Sequence, residues 1–188
     1  MKKLFIYLSL FLVIFGCKKK DSGLQAQGPN AEVTRVLEKF YEQYGQSSEV
    51  LYNEPIAQNL FTPQIRKEIE EIVDASKEDM ERIKKSAHPD DKPLLLEGSV
   101  FTSLYEGYTK YEIRSIETRA IKPNVQTADA VIEFENTAVA PKIVWKENVH
   151  LINPSGAGWE IDNITFDKIA QVKDLKTRLN DLRAEFKK

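Results

Sequence analysis

Glu147 is the residue of this 188-residue chain whose position most strongly suggests chemistry. Alternate side chains of a strand point to opposite faces, and Ile143, Trp145, Val149 and Leu151 share one face of the segment around it. The same alternation turns Glu147 toward the apolar interior. A carboxylate is costly there unless it is paired, so we predict that Glu147 belongs to a pocket.

Two other interpretations of Glu147 stay open. A bulge would turn its side chain outward, or Arg114 or Lys110 would neutralise its charge. An isomerase or dehydratase would use an inward carboxylate as its general base, and the candidates are Glu147 and Asp162. Asp162 follows a Trp-Glu-Ile run and is predicted to be a turn or bulge residue.

The two histidines do not complete a catalytic or metal site. His150 lies an odd number of residues from Glu147, so its side chain is predicted to point to the outer, solvent-exposed face of the sheet. His88 lies in a Pro-Asp loop. Their separation does not fit zinc-ligand spacing. The sequence also lacks a Ser-His-Asp signature and a phosphate loop. We therefore predict a protein without cofactor or metal and favour a non-enzymatic role.

A tyrosine-rich run supplies the other pocket candidates. Tyr105, Tyr108 and Tyr111 precede the strands, and tyrosines with one wet end suit contacts with a ligand or a protein. Together with Trp145 and Glu147 they are predicted to line a pocket. The alternative is that the three tyrosines form the rim of the core.

The single cysteine, Cys17, ends a leader sequence. Lys2 and Lys3 precede an apolar run from Leu4 to Phe15, which is the pattern of a signal peptide and is too short to span a bilayer. Gly16-Cys17 resembles the lipobox of bacterial lipoproteins, although Phe15 departs from the small residue that many lipoboxes carry. The resemblance implies cleavage after Gly16 and lipidation, including palmitate, at Cys17.

Three segments follow from this interpretation: a leader at 1–16, a lipidated cysteine with a flexible tether at 17–30, and one domain at 31–188. The tether is polar, contains glycine and proline, and shows no period. Its three lysines, Lys18 to Lys20, would lie at the bilayer surface. We expect a cell-envelope protein anchored to the outer membrane, with the periplasmic side and the cell surface both left open.

The charge balance excludes one class of partner. Cleavage of residues 1–16 would remove two lysines and leave 25 basic residues against 29 acidic ones. Nucleic-acid-binding domains are markedly basic, so no nucleic-acid partner is expected. The membrane, a small molecule or another protein remain as partners.

The domain changes from a helical to a two-residue period along its length. Residues 32–44 and 62–83 carry apolar side chains at helical spacing, with Asn30 and Thr62 as candidate N-caps and Gly45 as a stop. Four segments from Tyr111 onward alternate apolar and polar residues and predict an antiparallel sheet. After Ile113 and after Ile161 the apolar residues move by one position in the alternation, and each such shift predicts a β-bulge. This order predicts an α+β fold.

The last segment, residues 169–186, carries one apolar stripe. The stripe predicts a C-terminal amphipathic helix packed on the domain, and the alternative is the seam of a coiled coil. Residues 168–188 hold seven basic and three acidic side chains. This positive charge suits the end of a helix or contact with an acidic partner.

Residues 31–170 resemble the cone-shaped nuclear transport factor two-like fold, also called cystatin-like. The resemblance rests on the helix VLEKFYEQY, the segment KPLLLEGSVF and the strand GWEIDNI. Within that fold the chain is similar to an uncharacterised bacterial family, although Lys92 replaces its usual acidic residue. The resemblance implies N-terminal helices covering a strongly bent antiparallel sheet, with any ligand inside the cone.

Three functions remain in consideration at this point. The first is an envelope lipoprotein that binds a small molecule or peptide in a cone-shaped pocket. The second is an envelope interaction module, such as an inhibitor or immunity-type protein, which the basic C-terminal stripe would serve. The third is an isomerase or dehydratase with Glu147 or Asp162 as its base.

Overall fold

The computed structural model describes residues 29–186, and its elements confirm the α+β class. The leader at 1–16, Cys17 and most of the tether lie outside the described residues. No helix within residues 29–186 is long and apolar enough to cross a membrane. The elements in chain order are α1 (Pro29–Tyr44), α2 (Val50–Asn53), α3 (Pro63–Lys84), β1 (Lys110–Lys122), β2 (Val125–Asn136), β3 (Ile143–Asn153), β4 (Glu160–Thr165) and α4 (Leu175–Glu185).

The two long helices form where the helical period predicts them. Both begin at a proline, whose fixed backbone angle suits the first turn of a helix. Asn30 therefore lies inside α1 and is not its N-cap. Thr62 occupies the N-cap position of α3, but its side chain makes no capping hydrogen bond.

The four strands form one antiparallel sheet in the order β1-β2-β3-β4. Each strand pairs with its neighbours in sequence, as short connections require. Register shifts occur in β1 between Ile113 and Ser115 and in β4 at Asp162, which has no pairing partner. These positions confirm the two bulges that the parity shifts predict.

One layer of aromatic side chains fills the space between α1 and the inner face of the sheet. Phe40 and Tyr41 of α1 are at most 1% exposed. The Phe40 ring packs against Phe61 and Phe101, and the Tyr41 ring against Phe134, at centroid distances of 5.4–5.7 Å. Edge-to-face pairs of this kind add to the stabilisation from burial. The inner face of the sheet is therefore packed with the chain's own side chains.

The C-terminal helix begins six residues later than the apolar stripe predicts. Asp174 caps α4, since its side chain accepts a hydrogen bond from the backbone N–H of Thr177 at 2.8 Å. The backbone N–H of Phe166 donates to the carbonyl of Lys173, which ties the preceding segment back to the sheet. Residues 167–174 consequently form a loop, because a local cap competes with continuation of the helix.

Helix α4 packs on the domain and is not the free seam of a coiled coil. Leu175 and Leu179 are at most 1% exposed and belong to the common core. Removal of residues 171–188 would uncover that core, so such a deletion cannot be used to test for a partner without damage to the fold.

The two edges of the sheet differ. Residues Leu60 and Thr62 hydrogen bond with Ile161 along the outer edge of β4. Within the described residues β1 pairs with β2 alone and leaves its other edge open. Charged and exposed side chains lie along β1, namely Lys110, Glu112, Arg114, Glu117, Arg119 and Lys122.

Gly45, the residue after α1, leaves room for a tyrosine hydroxyl. A Cβ atom placed there would lie 2.0 Å from the Tyr108 hydroxyl and 2.7 Å from the carbonyl oxygen of Tyr41. Gly45→Ala is expected to lower the free energy of unfolding by about 1–3 kcal/mol, as overpacking usually does. Urea denaturation measures the loss. In a Tyr108→Phe background the same substitution should cost less, and an equal cost in both backgrounds would refute the steric explanation.

Candidate functional site

Glu147 faces inward on β3, as its parity predicts, and is 1% exposed. Its Oε1 accepts hydrogen bonds from the backbone N–H of Ser103 at 2.5 Å and from Nε1 of Trp145 at 2.7 Å. Among the described residues, its buried Oε2 has no hydrogen-bond partner, and neither has the buried hydroxyl of Tyr41. The carboxyl group therefore holds the loop around Ser103 against the sheet with one oxygen and leaves the other unsatisfied.

The surroundings of Glu147 favour its neutral form. Burial raises the pKa of this carboxyl to about 7, against the opposing effects of its hydrogen bonds and of the Arg178 charge. Burial, reinforced by the Glu147 charge, also raises the pKa of Tyr41. A protonated Glu147 would carry a hydrogen on the oxygen that lacks a partner. Desolvation is the dominant cause, as expected for a carboxyl group inside an apolar core.

The two alternative interpretations of Glu147 are wrong. The register between β2 and β3 is continuous through the pair Ile132 and Glu147, so no bulge turns the side chain outward. Arg114 forms ion pairs with Glu112 and Glu133 on the exposed side of the sheet. Lys110 is exposed at the start of β1. The alternation of the strand correctly predicts that the Glu147 side chain points inward, but it does not predict which groups donate hydrogen bonds to the carboxyl.

The five predicted pocket residues do not line a common cavity. Trp145 and Tyr108 are buried core residues, and the Tyr108 hydroxyl donates to the backbone carbonyl of Tyr41 at 3.1 Å. Tyr111 is half-buried beside the ring of Tyr41. Tyr105 alone is largely exposed, with 59% of its surface accessible. The alternative, that the tyrosines form the rim of the core, describes half-buried Tyr111, whereas Tyr108 lies within the core itself.

A pocket of about 440 Å³ lies next to Tyr105 and beside the filled core, to which its lining residues Leu96 and Val100 belong. One wall is the irregular segment 96–106, and the other is the segment 169–182, which includes the loop before α4. Its lining residues are Leu96, Glu97, Ser99, Val100, Ser103, Leu104, Tyr105, Glu106, Ile169, Ala170, Gln171, Val172, Arg178 and Leu182. This volume lies in the range of small-molecule sites. Glu147 lies beneath the wall, in contact with the backbone of Ser103.

Arg178 on α4 organises one wall of this pocket. Its Nη1 donates to the backbone carbonyls of Val100 at 2.6 Å and Thr102 at 2.8 Å. Its guanidinium carbon lies 4.0 Å from the centre of the Phe166 ring, within the range of a cation–π contact. Burial lowers the pKa of Arg178, and the Glu147 charge opposes this effect. An arginine remains charged even so.

His150 lies half-exposed on the outer face of the sheet, where parity predicts it. Its Nδ1 lies 2.6 Å from Oδ1 of Asp129, and its Nε2 lies 2.8 Å from the Thr165 hydroxyl. The order of groups resembles a catalytic triad. However, Thr165 does not line the adjacent groove of about 340 Å³ that His150 and Asp129 share. The chain of contacts therefore serves to join β2, β3 and β4.

Asp162 and His88 take no part in the pocket. Asp162 is the bulge residue of β4, and its Oδ2 accepts a hydrogen bond from Nζ of Lys176 at 2.6 Å. His88 is exposed in the loop after α3. Within residues 29–186 no group of three histidine, cysteine or acidic side chains could hold a metal ion.

The sequence gives little signal for Arg178 and for the loop of residues 167–174. Arg178 borders the apolar stripe of α4, three residues after Leu175 and four before Leu182, where a long side chain with a charged end is ordinary. Only the folded chain brings the carbonyls of residues 100–102 to its guanidinium. Asp174 followed three residues later by Thr177 is the one local signal for a late helix start.

Comparison of the chain with protein-family models, with curated proteins and with solved structures gives no match.

Proposed function

We propose that this protein is a lipid-anchored protein of a bacterial cell envelope that binds a small molecule or a peptide segment. The pocket between residues 96–106 and 169–182 is the observation that carries the binding proposal. The leader and Cys17 support the anchor through their resemblance to a lipoprotein signal. The resemblance to nuclear transport factor two-like domains agrees with a binding role, but it implies a ligand inside the cone. We assign the ligand to the pocket between residues 96–106 and 169–182 instead, because aromatic side chains occupy the interior.

The other two functions fit the geometry less well. An isomerase or dehydratase needs a base in contact with its substrate, but the Glu147 carboxyl is covered by Ser103 and Trp145. An interaction module would use the basic side chains of the C-terminal segment, yet Lys176 pairs with Asp162 and Arg183 pairs with Glu71 within the domain.

Filling the pocket with a bulky side chain tests the proposed function. Val172 is half-buried in the pocket wall, whereas Val144 is 51% exposed and does not line the pocket. The full chain, reconstituted in lipid nanodiscs, should carry a co-purifying small molecule or peptide that native mass spectrometry detects. Val172→Trp should remove at least nine-tenths of it, while Val144→Trp should retain it.

Two results would contradict the proposal. One is a wild-type protein without any bound molecule, and the other is equal retention of that molecule in Val172→Trp. Thermal unfolding of both tryptophan variants shows whether the fold survives. A Val172→Trp variant with an unchanged melting temperature and a lost ligand would assign the binding to this pocket.

A further inference from the structure

The guanidinium of Arg178 presents one side that the protein does not use. Nη1 is held by the backbone carbonyls of Val100 and Thr102. Within the described residues, Nε and Nη2 have no hydrogen-bond partner, and no carboxylate lies within ion-pair distance. Neither atom is among the fully buried polar atoms that lack partners, so each keeps some surface in contact with solvent. Nε and Nη2 together form the side-on edge with which arginine binds two oxygens at once.

The walls around this edge are largely apolar. The lining includes the apolar side chains of Leu96, Val100, Leu104, Ala170, Val172 and Leu182. The mouth combines apolar and acidic side chains: Tyr105 and Ile169 line the pocket while 59% and 43% of their surfaces remain exposed, and Glu97 and Glu106 are exposed beside them. Burial of a ligand's hydrocarbon against these side chains would favour binding, because it removes apolar surface from water.

We propose, on the basis of the proposed function, that this pocket binds an amphipathic carboxylate whose head group pairs with the Nε and Nη2 edge of Arg178. The hydrocarbon part lies against Val172, Leu104 and Leu182. The position of Arg178 over Phe166 fixes the direction of that edge, because the guanidinium plane is held on one side by the ring and at Nη1 by the loop.

The charges of the pocket select a carboxylate over other head groups. Arg178 is the single cation among the described lining residues, and one cation neutralises a monovalent anion. A phosphate carries up to two negative charges and would leave one without a partner. The two acidic lining residues, Glu97 and Glu106, are exposed at the rim, and Glu97 already pairs with Lys92 at 2.8 Å. A cationic head group would face Arg178 and be repelled.

Isothermal titration of the full chain in lipid nanodiscs tests this proposal, with empty nanodiscs subtracted. The probes are octanoate, octanol, octyl phosphate and octyltrimethylammonium, which share a chain and differ in head group. We expect octanoate to bind at least tenfold more tightly than each of the other three. Octanol or octyltrimethylammonium binding as tightly as octanoate would overturn the proposal, and octyl phosphate binding more tightly would replace carboxylate by phosphate.

Substitution of Arg178 separates the head-group contact from the apolar contact. Arg178→Lys keeps the charge but loses the paired donors, and we expect octanoate to bind about tenfold more weakly while octanol binding is unchanged. Arg178→Gln should abolish the preference for octanoate over octanol. Val172→Trp should weaken both probes. Octanoate binding that is unchanged in both Arg178 variants would overturn the assignment.

Failure of this inference and failure of the proposed function give different results. A neutral or cationic molecule that co-purifies with the wild-type protein, and is lost in Val172→Trp, would keep the binding function and refute the carboxylate. The absence of any co-purifying molecule, together with no binding of the four probes, would refute both.

Discussion

Cys17→Ser is expected to abolish attachment of fatty acid to the protein and to remove the mature product from the membrane fraction. Each buried CH₂ group contributes about 0.8 kcal/mol to membrane binding, and a single myristoyl chain binds only marginally. A cysteine of the lipoprotein type carries three acyl chains, so the wild-type protein should not dissociate measurably. Metabolic labelling with an alkyne fatty acid and fractionation of the cells measure both effects.

A control variant separates the lipid from the basic residues beside it. Replacement of Lys18, Lys19 and Lys20 by alanine removes about 1 kcal/mol of attraction per lysine to anionic head groups. The triple variant should stay in the membrane fraction, because the acyl chains dominate. An unlabelled wild-type protein, or a Cys17→Ser product of mature mass that stays in the membrane, would refute the anchor. The mass distinguishes such a product from a precursor that retains its leader.

Glu147 is expected to make the protein less stable as the pH rises. The pKa of this carboxyl is raised to about 7 in the folded protein, from an ordinary value of 4.5, mainly by burial. The folded state therefore binds the proton more tightly than the unfolded state does. The stabilisation is complete below pH 4.5 and is lost as the pH rises to about 7. A shift of this size corresponds to roughly 3 kcal/mol at 1.36 kcal/mol per pKa unit.

Comparison with Glu147→Gln isolates this effect from the other titrating groups. The glutamine Oε1 can accept the same hydrogen bonds from Ser103 and Trp145 and does not titrate. Urea denaturation between pH 4 and pH 9 should show the variant gaining about 3 kcal/mol relative to the wild type. A constant difference between the two proteins over this range would show that Glu147 is not the group responsible.

Trp145→Phe provides a second check on the same carboxyl. The indole Nε1 donates to Oε1 of Glu147 and favours its charged form. Loss of this donor should move the pH-dependent loss of stability to higher pH. A shift to lower pH would contradict the assigned role of the indole.

The sequence predicts those parts of the fold that depend on local periodicity. The alternation along β3 places Glu147 inside and His150 outside, and the parity shifts locate the bulges near Arg114 and at Asp162. These features follow from the two-residue period of a strand. The helical spacing likewise gives α1 and α3, because each buries one continuous apolar face.

The position of the pocket depends on packing between distant segments and was not predicted. The tyrosine run suggests a site at Tyr105, Tyr108 and Tyr111, but only Tyr105 lies at the pocket. Tyr108 turns inward because Gly45 leaves space for its hydroxyl. Ile169 and Val172 continue the apolar stripe of α4, yet the cap at Asp174 places them in the loop that walls the pocket. Tertiary contacts decide whether the helix begins at the capping residue or at the first apolar residue of the stripe.

The charged outer edge of β1 matters most if many copies share one membrane. Tethering to a surface brings neighbouring copies together at a high effective concentration. An open strand is then a template on which another chain can add and begin aggregation. The exposed charged side chains from Lys110 to Lys122 make such addition less favourable, since an incoming strand would have to desolvate or match each of them. Crowded copies would thereby remain separate folded molecules.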